Sequence, residues 1–153
     1  MKMNSKAVLL AFAFAAPAIL SGCATAEEAI AEAVADTQRA TLTGAEVVSS
    51  SGDRDGYATA EVSIANEIDQ ICYDVNDIRD LSTITSVSIN RGMRGQTGPS
   101  VLRFAKPNEG GWKGCVKRSE WLEDKLEFQP GNYYVQVSTA EFPNGAIRGQ
   151  LSR

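Results

Sequence analysis

Histidine is absent from all 153 residues of this chain, so the chemistry open to it rests on cysteine, arginine, carboxylates and aromatic rings. Without imidazole there is no commonest general base, no commonest transition-metal ligand and no usual switch near neutral pH. Cys72 and Cys115 are an even pair within residues 41–153. In an oxidising compartment such a pair reads as one structural bridge. The loop closed is about 43 residues, worth about 4 kcal/mol in the chain-entropy model. A redox or nucleophilic thiol is the rival reading, but no Cys-x-x-Cys occurs and no histidine is present to activate a thiolate.

Four residues of a long glycine-bearing stretch, Arg91, Gly92, Arg94 and Gly95, are the candidate binding loop. Backbone amides and guanidinium groups together suit an anion such as a sugar carboxylate. The plainer alternative is an exposed loop with solvated arginines. Trp112, Trp121, Tyr133 and Tyr134 suit a carbohydrate platform, although such rings more often fill a core, and Tyr133 and Trp121 are read here as core. Asp53-Arg54-Asp55-Gly56 has the opening of a calcium loop but lacks the later ligands and closing glutamate, so it reads as a solvated turn. No Gly-x-Ser-x-Gly, Ser-x-x-Lys or His-Glu-x-x-His motif is present. Arg148, inside a strand-like run, is expected to pair with a carboxylate or with carbonyls.

The third cysteine, Cys23, stands in a different context. Residues 1–22 open with Lys2 and Lys6, then run apolar from Ala7 to Leu20 with only Pro17 interrupting. That run is short of the roughly 20 residues a membrane span needs. It ends in Leu20-Ser21-Gly22-Cys23, which resembles the lipobox of bacterial lipoproteins: a branched apolar residue, two small residues, then the cysteine that takes the lipid. The resemblance implies a signal peptide over 1–22, cleavage before Cys23, and a membrane held as partner through lipid on that thiol. Acyl chains anchor stably only when two or more are present. Ala24, where an inner-membrane protein often has aspartate, favours the outer membrane if the source has one.

Residues 23–40 carry the anchor and an alanine- and glutamate-rich tether. Helix propensity there is high but the apolar stripe is thin, so a part-helical spacer is expected, about 25 Å long if fully helical at 1.5 Å per residue. Formal charge is −4 for the chain, and removing the two lysines of residues 1–22 leaves 23–153 near −6. That balance argues against a nucleic-acid partner, which needs clustered cations.

Residues 41–153 are long enough for one hydrophobic core and change to period-two patterning. Ala58, Ala60, Val62 and Ile64 alternate with polar neighbours, as do Ile71, Tyr73 and Val75, then Val87 and Ile89, then Tyr133, Val135 and Val137. Val101–Phe104 and Ile147–Leu151 add two more strands, and Ser119–Leu126 alone looks helical. Turns fall at Ser51-Gly52, Asp55-Gly56, Gly98-Pro99, Gly110-Gly111, Pro130-Gly131 and Asn144-Gly145. The pattern is that of an all-β antiparallel sandwich or barrel.

The segment from Asn132 to Leu151, ending Gly145-Ala146-Ile147-Arg148-Gly149-Gln150-Leu151, resembles the end of a CHRD domain, the module named after chordin. Leu42-Thr43-Gly44-Ala45-Glu46-Val47-Val48 resembles its first strand, and Gly95-Gln96-Thr97-Gly98-Pro99 its glycine-rich loop. The resemblance covers about residues 41–153 and implies an immunoglobulin-like β-sandwich with no established reaction. Many relatives carry His-x-His before the glycine loop and another histidine in the late Tyr-Val strand. The matching positions here are Ser88, Asn90 and Ser138. Serine and asparagine are poor transition-metal ligands, so no metal and no cofactor is expected.

These readings lead to a membrane-anchored envelope lipoprotein whose domain serves structural or binding roles, with an envelope protein or polysaccharide as partner. The alternatives are a metal-dependent or oxidant-defence enzyme, disfavoured by the missing histidines, and an adhesin-like protein gripping a polymer through the Arg/Gly loop.

Overall fold

The computed structural model describes residues 36–48, 51–65, 68–105, 111–117 and 120–153. The signal, Cys23 and most of the tether lie outside these residues. Eight strands and one α-helix follow in chain order: β1 (Asp36–Thr43), β2 (Tyr57–Ala65), β3 (Gln70–Arg79), β4 (Ile84–Arg91), β5 (Ser100–Arg103), β6 (Trp112–Lys117), α1 (Glu120–Phe128), β7 (Tyr133–Thr139) and β8 (Ile147–Gln150). The six strands expected from alternation are present. In β2 the alternating residues Ala58, Ala60, Val62 and Ile64 are all buried, as period two requires.

β6 was not foreseen, and β1 was foreseen only through the stretch Leu42–Val48 matched to the family's first strand. β1 begins at Asp36, so residues 36–40, read as tether, are strand, and the chain turns away from it at Gly44–Glu46, inside the stretch matched to a first strand. Its register with β2 (Thr37 with Ser63, Ala40 with Ala60) shows why the pattern was hidden. The inward positions near its start are Gln38 and Ala40, which carry little or no apolar signal, although Gln38 is wholly buried. β6 is an edge strand in which Lys113 and Lys117 face out and Gly114 occupies an inward position. Edge lysines discourage pairing with other chains and also dilute a strand signal.

All strand pairings are antiparallel, and hydrogen bonds join all eight strands into one sheet of order β5-β4-β7-β8-β1-β2-β3-β6. The expected two-layer sandwich would keep two sheets separate; here two four-strand runs meet at β1 and β8. That seam is narrow: Thr43 opposite Arg148, and beyond the strand ends a bridge between Arg39 and Ser152. Gly149 makes the approach possible, since a Cβ there would lie 2.3 Å from the Thr41 carbonyl oxygen. The sheet also curls until its far ends touch. Tyr73 of β3 stacks on Phe104, just after β5, with ring centroids 3.9 Å apart, and its hydroxyl accepts the Ala105 N–H at 3.1 Å.

One core fills the inside of the curl, drawing on every strand and on Leu122 and Leu126 of α1. No helix among the described residues is long and apolar enough to cross a membrane. Cys72 and Cys115 sit directly opposite each other on β3 and β6 and form the expected disulfide, tying the edge strand to its neighbour.

Candidate functional site

Register determines which side chains share the outer face of the sheet. Directly opposed residues of an antiparallel ladder point the same way. Asn90, Tyr134 and Gln150 therefore form one row across β4, β7 and β8, and Ser88, Gln136 and Arg148 form the next. Such polar strand residues ordinarily face water. Here Arg148 is 1% exposed, because the loop from Gly92 to Pro99 folds back over the face.

Arg148 and Gln150 hold that loop. The Arg148 guanidinium donates to the Gln96 carbonyl at 2.6 Å, the Met93 carbonyl at 3.0 Å and Gln150 Oε1 at 3.2 Å. It also lies over the Tyr134 ring, 3.5 Å from the centroid. The Gln150 amide nitrogen is within reach of the Gly92, Gly131 and Tyr133 carbonyls at 2.7–2.8 Å, three acceptors for its two hydrogens. The Tyr134 hydroxyl accepts the Gly98 N–H at 3.3 Å. Burial pushes the Arg148 guanidinium below its usual range, partly offset by Tyr134 and Glu46. An arginine stays charged at neutral pH even so, and its planar fork suits several carbonyls at once.

The Ile-Arg-Gly-Gln-Leu run thus divides its work by strand face. Ile147 and Leu151 fill the core, Gly149 admits β1, and Arg148 and Gln150 clamp the loop. The expectation that Arg148 bonds carbonyls holds. What sequence reasoning missed is whose carbonyls: they belong to the candidate binding loop, more than 50 residues earlier.

The clamp leaves the four loop candidates in two groups. Arg91 and Gly92 line a cleft of about 230 Å³ between the loop and α1, with Met93 and Gln96 beside them. Trp121 and Lys125 supply the opposite wall, and Gln129, Asn132 and Tyr133 complete it. Gly92 is tied to this wall by its N–H, which donates to the Asn132 carbonyl at 2.7 Å. Arg94 points elsewhere and pairs with Glu46, while Gly95 turns the exposed tip with φ +79° and has no neighbour within 4 Å of a built Cβ.

The aromatics divide differently from expectation. Tyr133, Tyr134 and Trp112 are buried, but Trp121, read as core, is 54% exposed. α1 turns Leu122, Glu123 and Leu126 inward, and Trp121, one position before that stripe, faces out over the cleft. Among the described residues neither Arg91 nor Lys125 has an ion-pair partner, so both charges are available to a ligand.

The three positions matched to family histidines share the clamped face. Ser88 and Asn90 hydrogen-bond to each other through their side chains at 3.3–3.4 Å. Ser138 lies one register row away, opposite Ser86. Asn90 and Ser138 are buried, so this group packs polar atoms under the β4–β5 side of the sheet. Asp53-Arg54-Asp55-Gly56 forms the solvated turn, with the Asp53 carboxylate accepting the Asp55 N–H at 3.3 Å.

The CHRD domain family matches residues 38–151, from the third residue of β1 through the clamp motif. This chain belongs to the CHRD family. The loop that its terminal motif holds is therefore a feature of a CHRD domain as folded here, and the cleft is built on it. No curated protein matches the chain, and no solved structure does.

Proposed function

We propose that this CHRD protein is a lipid-anchored component of a bacterial-type cell envelope, and that its domain binds and does not catalyse. The observation that carries the binding reading is the cleft. A loop held by a buried arginine faces a helix that exposes a tryptophan, and each wall carries a cation, Arg91 or Lys125, with no ion-pair partner among the described residues. Ordering a loop before a ligand arrives reduces the entropy lost on binding, which is what a recognition surface needs.

Lipidation at Cys23 is supported by the basic start, the apolar run and Leu20-Ser21-Gly22-Cys23. Ala24 favours the outer membrane if the source has one. The non-catalytic part is supported by donor chemistry: hydroxyls and an amide at Ser88, Asn90 and Ser138, and both domain cysteines tied up in the disulfide.

Photo-crosslinking in native membranes tests the binding site. A photoreactive residue in place of Trp121 is expected to trap an envelope component that the same residue in place of Arg39, on the open half of the sheet, does not. Equal trapping at both positions would remove the cleft from the proposal. Intact mass tests the anchor: a mature chain starting at Cys23 with acyl mass is expected, and an unacylated Cys23 would end that part. Elemental analysis of untagged protein for copper, zinc, iron and manganese tests the rest, since a stoichiometric metal would favour the enzyme.

A further inference from the structure

We infer that the cleft takes an acidic saccharide, with a sugar ring on Trp121 and its carboxylate between Arg91 and Lys125; this rests on the cleft being the binding site. The wall chemistry is mixed in the way a sugar acid requires. The apolar C–H face of a pyranose needs a flat, exposed ring, and Trp121 is 54% exposed at the cleft edge. Hydroxyls need fixed amides and carbonyls, which Gln96, Gln129 and Asn132 supply. All three are already set by two contacts: Asn132 Nδ2 donates to Gln129 Oε1 at 3.1 Å, and Gln96 Oε1 accepts the Met93 N–H at 3.3 Å. Each of these contacts occupies the Oε1 of a glutamine that lines the cleft, Gln96 or Gln129, and does not use that amide's N–H donors.

Charge selects the acid form. The chain carries −4 overall, so its long-range field repels polyanions. Arg91 and Lys125 have no ion-pair partner among the described residues, unlike Arg39, Arg94, Lys113 and Arg153, which all have one. Asp124, exposed on α1, does not line the cleft. The two cations that line the cleft attract a carboxylate locally against the chain's net negative field, which favours an acidic ligand there over a neutral one. The volume, about 230 Å³, suits one or two sugar rings and not a folded partner.

The test uses the full-length protein purified from its membranes in detergent, with polygalacturonate and its fully methyl-esterified form as probes. These share a backbone and differ in charge. Calorimetry is expected to show at least tenfold tighter binding of the acid form, weakening as salt rises. Replacing both cations (Arg91→Gln with Lys125→Gln) is expected to erase the preference, and Trp121→Ala to weaken both polymers at least tenfold. Arg94→Gln, which touches Glu46 and not the cleft, is expected to change neither. Equal affinity for the two polymers, still dependent on Trp121, would overturn the acid assignment and leave the cleft intact. Acid-form binding untouched by either cleft variant would overturn the site. Binding of neither polymer would overturn the saccharide, and the crosslinking at Trp121 would then decide the cleft independently. Trp121-dependent binding to vesicles of anionic phospholipid, with none to the polymers, would replace the saccharide by a lipid surface.

Discussion

The two halves of one outer sheet face have been put to opposite uses. Over β4, β7 and β8 the loop from Gly92 to Pro99 crosses the strands, and Arg148, Asn90, Tyr134 and Ser138 lie buried beneath or beside it. Over β1, β2 and β3 no described segment crosses. Arg39 pairs with Glu61 at 2.8 Å along an open groove of about 450 Å³, and Lys113 pairs with Asp74 at 3.3 Å, both mostly in water. The strand chemistry is similar on both halves, but its energetics are not. A charge that donates to carbonyls away from solvent is strong and must stay satisfied. An exposed pair is screened and loses side-chain entropy when it forms. The covered half uses polar residues as a scaffold for a loop, whereas the open half uses them to stay soluble and depends on covalent chemistry for its edge.

That contrast can be broken at the disulfide first. Replacing Cys72 and Cys115 together by serine removes the link between β3 and β6, and about 4 kcal/mol of stability is expected to go with it in the chain-entropy model. Urea unfolding at fixed pH measures it. A loss below about 1 kcal/mol would mean that the open half holds its edge without the bridge.

The clamp comes next. Arg148→Met keeps much of the buried length but removes the donors to Gln96 and Met93. A loss of about 3 kcal/mol is expected, from charged hydrogen bonds of about 1.5–3 kcal/mol each with relaxation of the loop. Amide exchange should rise at Gly98, whose N–H bond to Tyr134 depends on the loop staying down. Unchanged exchange there would show that Tyr134 and Gln150 suffice, and the arginine would no longer count as the clamp.

The smallest effect belongs to the open half. Arg39→Ala is expected to cost less than about 1 kcal/mol, and the cost should shrink further in high salt. A larger, salt-independent loss would erase the distinction between the halves, because it would place a strong polar contact on the face that is read as solvated.

Much of this architecture is legible in the chain. Alternation identifies β2, β3, β4 and β7, because a strand with one wet face must repeat every second residue. The even cysteine pair and the terminal Ile-Arg-Gly-Gln-Leu run point to the bridge and to the family before any coordinates. The same rule fails at β1 and β6, where inward places hold Gln38 and Gly114 and the period carries no apolar contrast. Trp121 was assigned to the core because its residue type usually goes there. On a single two-turn helix, a rotation of about 100° per residue decides between burial and exposure, and only the packing of Leu122 and Leu126 sets that rotation.

Sequence alone determined that the chain carries an all-β domain of the CHRD family, a cysteine pair able to bridge and no histidine for catalysis. These depend on local period, residue identity and a contiguous motif. Tertiary structure alone decided that the eight strands curl into one sheet, that Arg148 and Gln150 reach back to Met93, Gln96 and Gly92, and that Arg91 comes to face Trp121 and Lys125 across a cleft. The reason is physical: the hydrogen bonds of the clamp join residues more than 50 positions apart. Their partners are backbone carbonyls, which every residue has, so no side-chain pattern along the chain can announce them.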